Sequence, residues 1–175
     1  TQYRAIQLTY STGIKIKNCI IRDNPGTGIA VWSNSSSVIR DCVISNNRNH
    51  GIYIGTSAPN EISNCIITDN LDNSGRNRGI GLGRTYNNVL IKNNLLERNG
   101  IYCAWDESPT IINNTIVSAT YGIEYSYNDY FVTPTIKNNI ITANGTGIYL
   151  KNAKGAPVID YNDVWGNHSS SYCSL

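Results

Sequence analysis

The sequence predicts an all-β fold, a single-stranded right-handed parallel β-helix (a solenoid) of about seven rungs with three short strands in each rung. Three observations predict it. A motif of about 24 residues recurs along the whole chain, Ile and Asn dominate the composition, and the apolar residues alternate in stretches too short for helices. Strands of this length cannot bury an apolar face alone, so neighbouring repeats must stack.

The composition separates strand formers from turn formers. The 175 residues include 25 Asn and 25 Ile, against 8 Ala, 8 Leu and no Met. Ile favours strands, whereas Asn favours tight turns because it tolerates the left-handed backbone conformation. The net charge of +2 and the 15% of charged residues exclude a charge-driven disordered chain and a strongly basic nucleic-acid-binding protein. No apolar run approaches the roughly 20 residues of a membrane helix, so we expect no membrane insertion.

Three columns of recurring residues define the repeat. A Gly-Ile pair opens one strand of each unit, at Gly28, Gly51, Gly79, Gly100, Gly122 and Gly147. The second column lies at a bend and holds Cys19, Cys42, Cys65, Asn94, Asn114, Asn139 and Asn162. The third follows five residues later and holds Asn24, Asn47, Asn70, Asn99, Ala119, Asn144 and Asn167. We expect the inward Asn side chains to satisfy the backbone of the bend and to pair with the Asn above and below, as an asparagine ladder.

Three interior stacks form the expected core, each with one aliphatic residue per rung. The first holds Ile16, Ile39, Ile62, Ile91, Ile111, Ile136 and Ile159. The second holds Ile21, Ile44, Ile67, Leu96, Ile116, Ile141 and Val164. The third holds Ile29, Ile52, Ile80, Ile101, Ile123 and Ile148. Residues 1–175 then form a single domain, and the absence of capping elements leads us to expect a segment of a longer protein.

Runs such as residues 136–144 (IKNNIITAN) and 147–150 (GIYL) resemble the repeat of the pectate-lyase-like superfamily of right-handed parallel β-helices. The resemblance covers essentially the whole chain and is specific for the fold. It implies a location outside the cytoplasm (extracellular, cell-surface or periplasmic) and a substrate cleft along the Gly-Ile strands. No catalytic signature of one family is present, so the resemblance carries over an architecture and the place of a site, not catalytic residues.

The outward position of the Gly-Ile strands is the candidate binding face. Its column reads Gln7, Ala30, Tyr53, Gly81, Tyr102, Glu124 and Tyr149. Tyr53, Tyr102 and Tyr149 suit the apolar faces of sugar rings, although Tyr is also an ordinary exposed strand residue. Trp105 lies in an expanded turn beside this face. His50 lies at its edge, where it is either a general base or a turn residue.

Charged residues gather around the middle rungs of the same face. Arg76, Arg78 and Arg84 flank the third Gly-Ile strand, where an Arg could clamp a uronate carboxylate. In lyases of the resembled superfamily an Arg or Lys abstracts the sugar proton, so the resemblance makes these three residues catalytic candidates as well. Asp106, Glu107 and Glu124 follow in the next two rungs, as candidates for the acid/base pair of a glycoside hydrolase. Asp106, Glu107 and Asp129 are the candidate ligands for Ca²⁺, the one cofactor the sequence suggests. The alternative is that all of these are solvated loop charges.

Two function classes follow. The first is a carbohydrate-binding or carbohydrate-processing domain that acts on an acidic polysaccharide, and if it is an enzyme, a lyase or a glycoside hydrolase. The second is a non-catalytic stalk, filament or adhesin module that self-associates through its open ends or an apolar strip. If the alternation continues through the bend, that strip consists of Ile20, Val43, Ile66, Leu95 and Ile140 and points outward; a bend that resets the alternation would bury it.

The five Cys residues do not fix the redox compartment. Cys19, Cys42 and Cys65 occupy one column in successive rungs, where parallel stacking would strain a disulfide, so we expect buried free thiols. The sequence assigns no role to Cys103 or Cys173.

Overall fold

Every rung of the solenoid is built from the same three short strands and two tight bends. The computed structural model describes residues 3–71, 78–83, 89–104, 108–126, 133–151 and 155–174. It shows only strands, turns and bends there, and no helix in this part of the chain is long and apolar enough to cross a membrane. The predicted all-β parallel solenoid with three strands per rung is confirmed.

The strands, numbered in chain order, form three parallel sheets. Sheet A holds β1 (Arg4–Thr9), β4 (Thr27–Trp32), β7 (Ile52–Gly55), β10 (Arg78–Gly83), β13 (Gly100–Ala104), β16 (Tyr121–Ser126), β19 (Thr146–Leu150) and β22 (Ser170–Ser174). Sheet B holds β2 (Ile14–Lys17), β5 (Ser37–Arg40), β8 (Asn60–Ser63), β11 (Val89–Lys92), β14 (Thr110–Ile112), β17 (Thr135–Lys137) and β20 (Val158–Asp160). Sheet C holds β3 (Ile20–Arg22), β6 (Val43–Ser45), β9 (Ile66–Thr68), β12 (Leu95–Glu97), β15 (Thr115–Val117), β18 (Ile140–Thr142) and β21 (Asp163–Trp165). Rung 1 is β1–β3, rung 2 is β4–β6, and so on to rung 7, which is β19–β21.

The register aligns the three predicted aliphatic stacks in the interior. Ile16 pairs with Ile39, Ile21 with Ile44 and Ile29 with Ile52, and the pattern continues along each sheet. Most members of the three stacks are fully buried, and only Ile159 and Val164 in rung 7 are half-buried. The core is therefore a column of apolar layers, one per rung, which is why the strands alternate between inward and outward residues.

Each rung turns at two bends that place one residue in the left-handed conformation. At the bend from sheet B to sheet C, φ lies between 53° and 57° at Asn18, Asp41, Asn64, Asn93, Asn113, Asn138 and Tyr161. At the bend after sheet C, φ lies between 51° and 62° at Asp23, Asn46, Asp69, Arg98, Ser118, Ala143 and Gly166. Asn and Asp tolerate this conformation better than other residues with a side chain. The bends therefore account for part of the high Asn content.

The residue after each left-handed position points inward and forms the predicted ladders. Asn94 Nδ2 donates to Asn114 Oδ1 at 3.0 Å, and Asn114 Nδ2 donates to Asn139 Oδ1 at 3.1 Å. In the other ladder, Asn47 Nδ2 donates to Asn70 Oδ1 at 2.8 Å. The stacked amides also donate to backbone carbonyls of the bends, such as Ile91 O at 3.0 Å from Asn114 Nδ2. The ladders thus satisfy the polar backbone groups that tight turning leaves inside the solenoid.

Candidate functional site

The outer face of sheet A carries the predicted binding column in one line. Tyr53 pairs with Gly81, Gly81 with Tyr102, Tyr102 with Glu124 and Glu124 with Tyr149 in the strand register. Gln7 and Ala30 extend the same line towards rung 1. The side chains of Tyr53, Tyr102, Glu124 and Tyr149 are all half-buried. Whether this column binds saccharide stays a prediction.

Rungs 2 to 4 of this face hold a closed aromatic cluster. The ring centroids of Trp32 and Tyr53 lie 4.7 Å apart, and those of His50 and Tyr53 lie 5.2 Å apart in an edge-on arrangement. The His50 ring lies directly over Gly81, where an added Cβ would come within 2.2 Å of His50 Cδ2. Glycine at this position therefore gives the ring a place to pack.

His50 is consequently a packed residue. Its ring is buried between Tyr53 and the backbone of Gly81, and its Nδ1 lies 2.8 Å from Asn49 Oδ1. Ala30, an outward residue of the same column, is also buried. The hypotheses of a general base and of a turn residue both stay predictions.

Rungs 4 to 6 hold an open, polar arrangement on the same face. The guanidinium carbon of Arg78 lies 3.7 Å from the centroid of the Tyr102 ring, a close cation–π contact. The rings of Tyr121 and Tyr149 are tilted by 34° to each other, with their centroids 5.2 Å apart. Between these pairs lies a small, partly open pocket of about 20 Å³, lined by Arg78, Gly100, Ile101, Tyr102, Thr120, Tyr121 and Glu124.

The pocket brings together a cation, a carboxylate and aromatic rings. Arg78 and Glu124 were predicted as catalytic candidates and Tyr102 as a binding residue, and all three line it. Tyr53 and His50 lie in the closed cluster, and Tyr149 contributes through its ring contact with Tyr121. The remaining candidates, Arg76, Arg84, Trp105, Asp106, Glu107 and Asp129, lie outside the described residues.

Sequence reasoning missed a second column beside the first. The residue before the Gly of the Gly-Ile pair is His50 in rung 3, Arg78 in rung 4 and Tyr121 in rung 6. Each of these side chains contacts a Tyr of the predicted column, namely Tyr53, Tyr102 and Tyr149. The repeat alignment contained the signal, because these large residues share one repeat position. Tyr121 was the residue overlooked.

Two of the three thiols in the first ladder, Cys42 and Cys65, are buried as expected, whereas Cys19 at the first rung is only half-buried. All three are free cysteines, and Cys103 is buried as well. Burial raises the pKa of the Cys65 thiol from 9.0 to about 12 and raises the pKa of Cys42 as well. Metal binding requires the thiolate, which this environment disfavours. In the part of the chain that the structure describes, no group of three or more His, Cys, Asp or Glu side chains could hold a metal ion.

Two family models match the chain. The model described as "Right handed beta helix region" matches residues 1–116, and the model described as "Periplasmic copper-binding protein (NosD)" matches residues 76–174. Each match covers more than half of the chain, so the chain belongs to the right-handed β-helix family and bears the NosD family pattern over its second part. The expected right-handed parallel β-helix is thereby confirmed. No curated protein matches the chain.

Proposed function

We propose that this member of the right-handed β-helix family recognises an acidic polysaccharide along the outer face of sheet A. The observation that carries the proposal is the pocket between rungs 4 and 6, where Arg78 lies over Tyr102 beside Glu124 and Tyr121. Aromatic faces suit the apolar faces of sugar rings, and a guanidinium binds a carboxylate by charge-assisted hydrogen bonds. A uronate-containing chain offers both groups in each sugar.

The position of Arg78 favours binding over proton transfer. Its guanidinium is held against an aromatic ring, which orients a fixed positive charge, and an Arg in protein rarely gives up its proton. Glycoside hydrolysis needs two carboxyl groups roughly 5–9.5 Å apart. Within the described residues, Glu124 is the one predicted catalytic carboxylate on this face. We therefore propose recognition as the primary activity.

The family descriptions bear on location and on metal. A periplasmic or cell-surface location fits the NosD family description, and we propose it for this chain. We do not propose copper binding by the described residues. They contain no group of three or more side chains that could hold a metal ion, and burial keeps the Cys65 thiol protonated. Ca²⁺ binding by Asp106, Glu107 and Asp129 stays a prediction that the calcium arm of the experiment below addresses.

The test measures binding and product release together. The chain is titrated with polygalacturonate, alginate and a neutral glucan, with Ca²⁺ and with a chelator, by calorimetry and by absorbance of unsaturated products. We expect binding of the acidic polymers without release of products. Release of unsaturated oligosaccharides would replace recognition by lyase activity, and silence with every polymer would overturn the proposal in favour of a structural module.

Two variants with matched controls locate the binding. Tyr102→Ala removes the ring under Arg78 and should weaken binding of the acidic polymer at least about 10-fold. Arg78→Gln should abolish the preference for acidic over neutral polymers. Tyr161→Ala and Arg40→Gln change an exposed Tyr and an exposed Arg away from sheet A and should leave binding unchanged. Equal effects of the site variants and their controls would place the binding elsewhere.

A further inference from the structure

The charged residues on the outer face of sheet A alternate in sign along rungs 5 to 7. From β10 to the end of β19, the described part of this face carries three charged side chains, Arg78, Glu124 and Lys151. Arg78 pairs with Gly100 of rung 5, and its guanidinium carbon lies 3.7 Å from the centroid of the Tyr102 ring in the same rung. Glu124 follows in rung 6 and Lys151 in rung 7, so one negative charge lies between two positive ones.

Lys151 belongs to this face because it continues β19. Its backbone N–H donates to Tyr125 O at 3.0 Å, which extends the hydrogen bonding between β16 and β19 by one residue. Since side chains alternate along a strand, Lys151 lies on the same side of the sheet as Tyr149, and it is exposed. Rung 7 therefore repeats the combination found in rung 5, an aromatic ring together with a cation.

We propose that the bound saccharide runs along the solenoid and alternates acidic with uncharged sugars, an inference that rests on the proposed recognition of an acidic polysaccharide. One acidic sugar lies on Tyr102 with its carboxylate at Arg78. The next acidic sugar lies on Tyr149 with its carboxylate at Lys151. The sugar between them is uncharged and lies beside Glu124. The ligand is thus a polymer with a disaccharide repeat that contains one uronate.

The spacing of the rungs fits one sugar per rung. Tyr102 pairs with Glu124 and Glu124 with Tyr149, so the two Tyr residues are separated by two rungs, or about 10 Å at a strand spacing of about 4.8 Å. A disaccharide of an extended polysaccharide has nearly this length, so equivalent sugars of successive repeats meet equivalent rungs. Both Tyr side chains are half-buried, so part of each reaches solvent.

Glu124 is the specificity-determining residue of this arrangement. It lines the pocket together with Thr120 and Tyr121, between the two rungs that carry cations. A homopolymer of uronate brings a carboxylate to every rung, including the rung where Glu124 already supplies one, and like charges in contact oppose binding. An uncharged sugar instead offers hydroxyl or amide hydrogens, which a carboxylate accepts.

Calorimetry at physiological ionic strength tests the alternation by comparing the affinity per uronate. The alternating probes are hyaluronan and unsulfated chondroitin, in which glucuronate alternates with an N-acetylated sugar, and the homopolymers are polyglucuronate and polygalacturonate. We expect an alternating polymer to bind at least about 10-fold more tightly than either homopolymer. Homopolymers that bind as tightly would overturn the alternation but leave the recognition of acidic polysaccharide standing. An absence of binding by all four polymers would overturn both.

Removing the carboxylate of Glu124 tests the cause of the preference. Glu124→Gln keeps the size of the side chain, so it should tighten binding of the homopolymers and narrow the preference to less than about 3-fold. Glu61→Gln changes a half-buried Glu of sheet B and should leave the preference unchanged. A preference that persists in full in Glu124→Gln would overturn the proposal.

Defined oligosaccharides test the second cation. A hyaluronan tetrasaccharide carries two uronates and reaches both Arg78 and Lys151, whereas a disaccharide reaches one of them. The tetrasaccharide should therefore bind at least about 10-fold more tightly, and Lys151→Gln should reduce this ratio to less than about 3-fold. Lys15→Gln changes an exposed Lys of sheet B and should leave the ratio unchanged. An unchanged ratio in Lys151→Gln would overturn the position of the second acidic sugar. Circular dichroism of each variant verifies that the fold is intact.

Discussion

The same bend is lined by thiols in rungs 1 to 3 and by amides in rungs 4 to 7. Cys42 Sγ donates to Arg40 O at 3.2 Å and to Ile16 O at 3.7 Å. At the equivalent position three rungs later, Asn114 Nδ2 donates to Ile112 O and to Ile91 O, both at 3.0 Å. The two side chains thus address the same two carbonyl positions, but a thiol is a much weaker donor.

The amide side chain also has an oxygen that accepts hydrogen bonds from the preceding rung, which the thiol lacks. Asn114 Oδ1 accepts the backbone N–H and the side-chain Nδ2–H of Asn94, so each amide ties its rung to the preceding one. Cys65 joins the thiol part of the column to the amide part, because its backbone N–H donates to Asn94 Oδ1 at 2.9 Å. One backbone geometry therefore accepts either a small hydrophobe or an amide, and only the amides link successive bends to one another through side-chain oxygens.

The largest expected effect comes from truncating the two kinds of ladder residue. Asn114→Ala removes the acceptor of the buried Asn94 backbone N–H and the side-chain donor to Ile91 O and Ile112 O, and should lower the free energy of unfolding by about 3–5 kcal/mol. Cys42→Ala removes a small apolar group with two weak hydrogen bonds and should cost about 1 kcal/mol. Urea denaturation followed by circular dichroism measures both. An equal loss of unfolding free energy in Asn114→Ala and Cys42→Ala would show that the amide network adds no more stability than the buried thiols.

A second test uses alkaline pH to separate the contribution of the thiol rungs to stability from that of the amide rungs. The folded-state pKa of Cys65, about 12, lies above the ordinary thiol value of 9.0. The protonated thiol is favoured in the fold, so its contribution is complete below pH 9 and declines as the pH rises toward about 12. Between about pH 8 and 10.5 the unmodified chain should therefore lose about 2 kcal/mol more stability than Cys65→Ala. Parallel loss in both proteins would contradict the buried thiol as the cause.

The smallest expected effect comes from extending the amide network by one rung. In Cys65→Asn, the two Nδ2 hydrogens would be shared among Asn94 Oδ1 and the carbonyls of Ser63 and Ile39, which now accept from the thiol at 3.3 and 3.8 Å. We expect a gain of about 1 kcal/mol in the free energy of unfolding. Cys19→Asn, at the half-buried start of the column, should gain less. A loss of stability in Cys65→Asn would mean that the thiol rungs are too tight for an amide.

The columns of the solenoid were predictable because the two bends fix the register between rungs. Once Cys19, Cys42 and Cys65 are aligned, every inward and outward residue of rungs 1 to 3 follows from strand alternation. The aliphatic stacks, the ladders and the outward direction of Ile20 and Ile66 are confirmed on this basis.

Contacts between neighbouring columns were not predictable in the same way. Nothing in the alternation indicates that the His50 ring covers Gly81, or that Arg78 turns across to the ring of Tyr102 in the next rung. Both depend on side-chain rotamers and on the space that small neighbours leave. The prediction therefore placed Tyr53 and Tyr102 in one uniform stripe, whereas the structure divides the face into a closed cluster and an open pocket.

The ladder amides give the molecule a permanent electrical axis. Each Asn Oδ1 accepts from the preceding rung, as Asn139 Oδ1 does from Asn114 and Asn162 Oδ1 does from Asn139, so the carbonyl dipoles all point their negative ends towards rung 1. Backbone hydrogen bonds at the bends run in both directions along the solenoid, as those of Asn18 N to Arg40 O and of Val43 N to Cys19 O do, so their dipoles largely cancel. Rung 1, at the negative pole, carries Arg4, Lys15, Lys17 and Arg22 against one carboxylate, Asp23. The described part of rung 7, at the positive pole, carries Asp160 and Asp163 against one cation, Lys151.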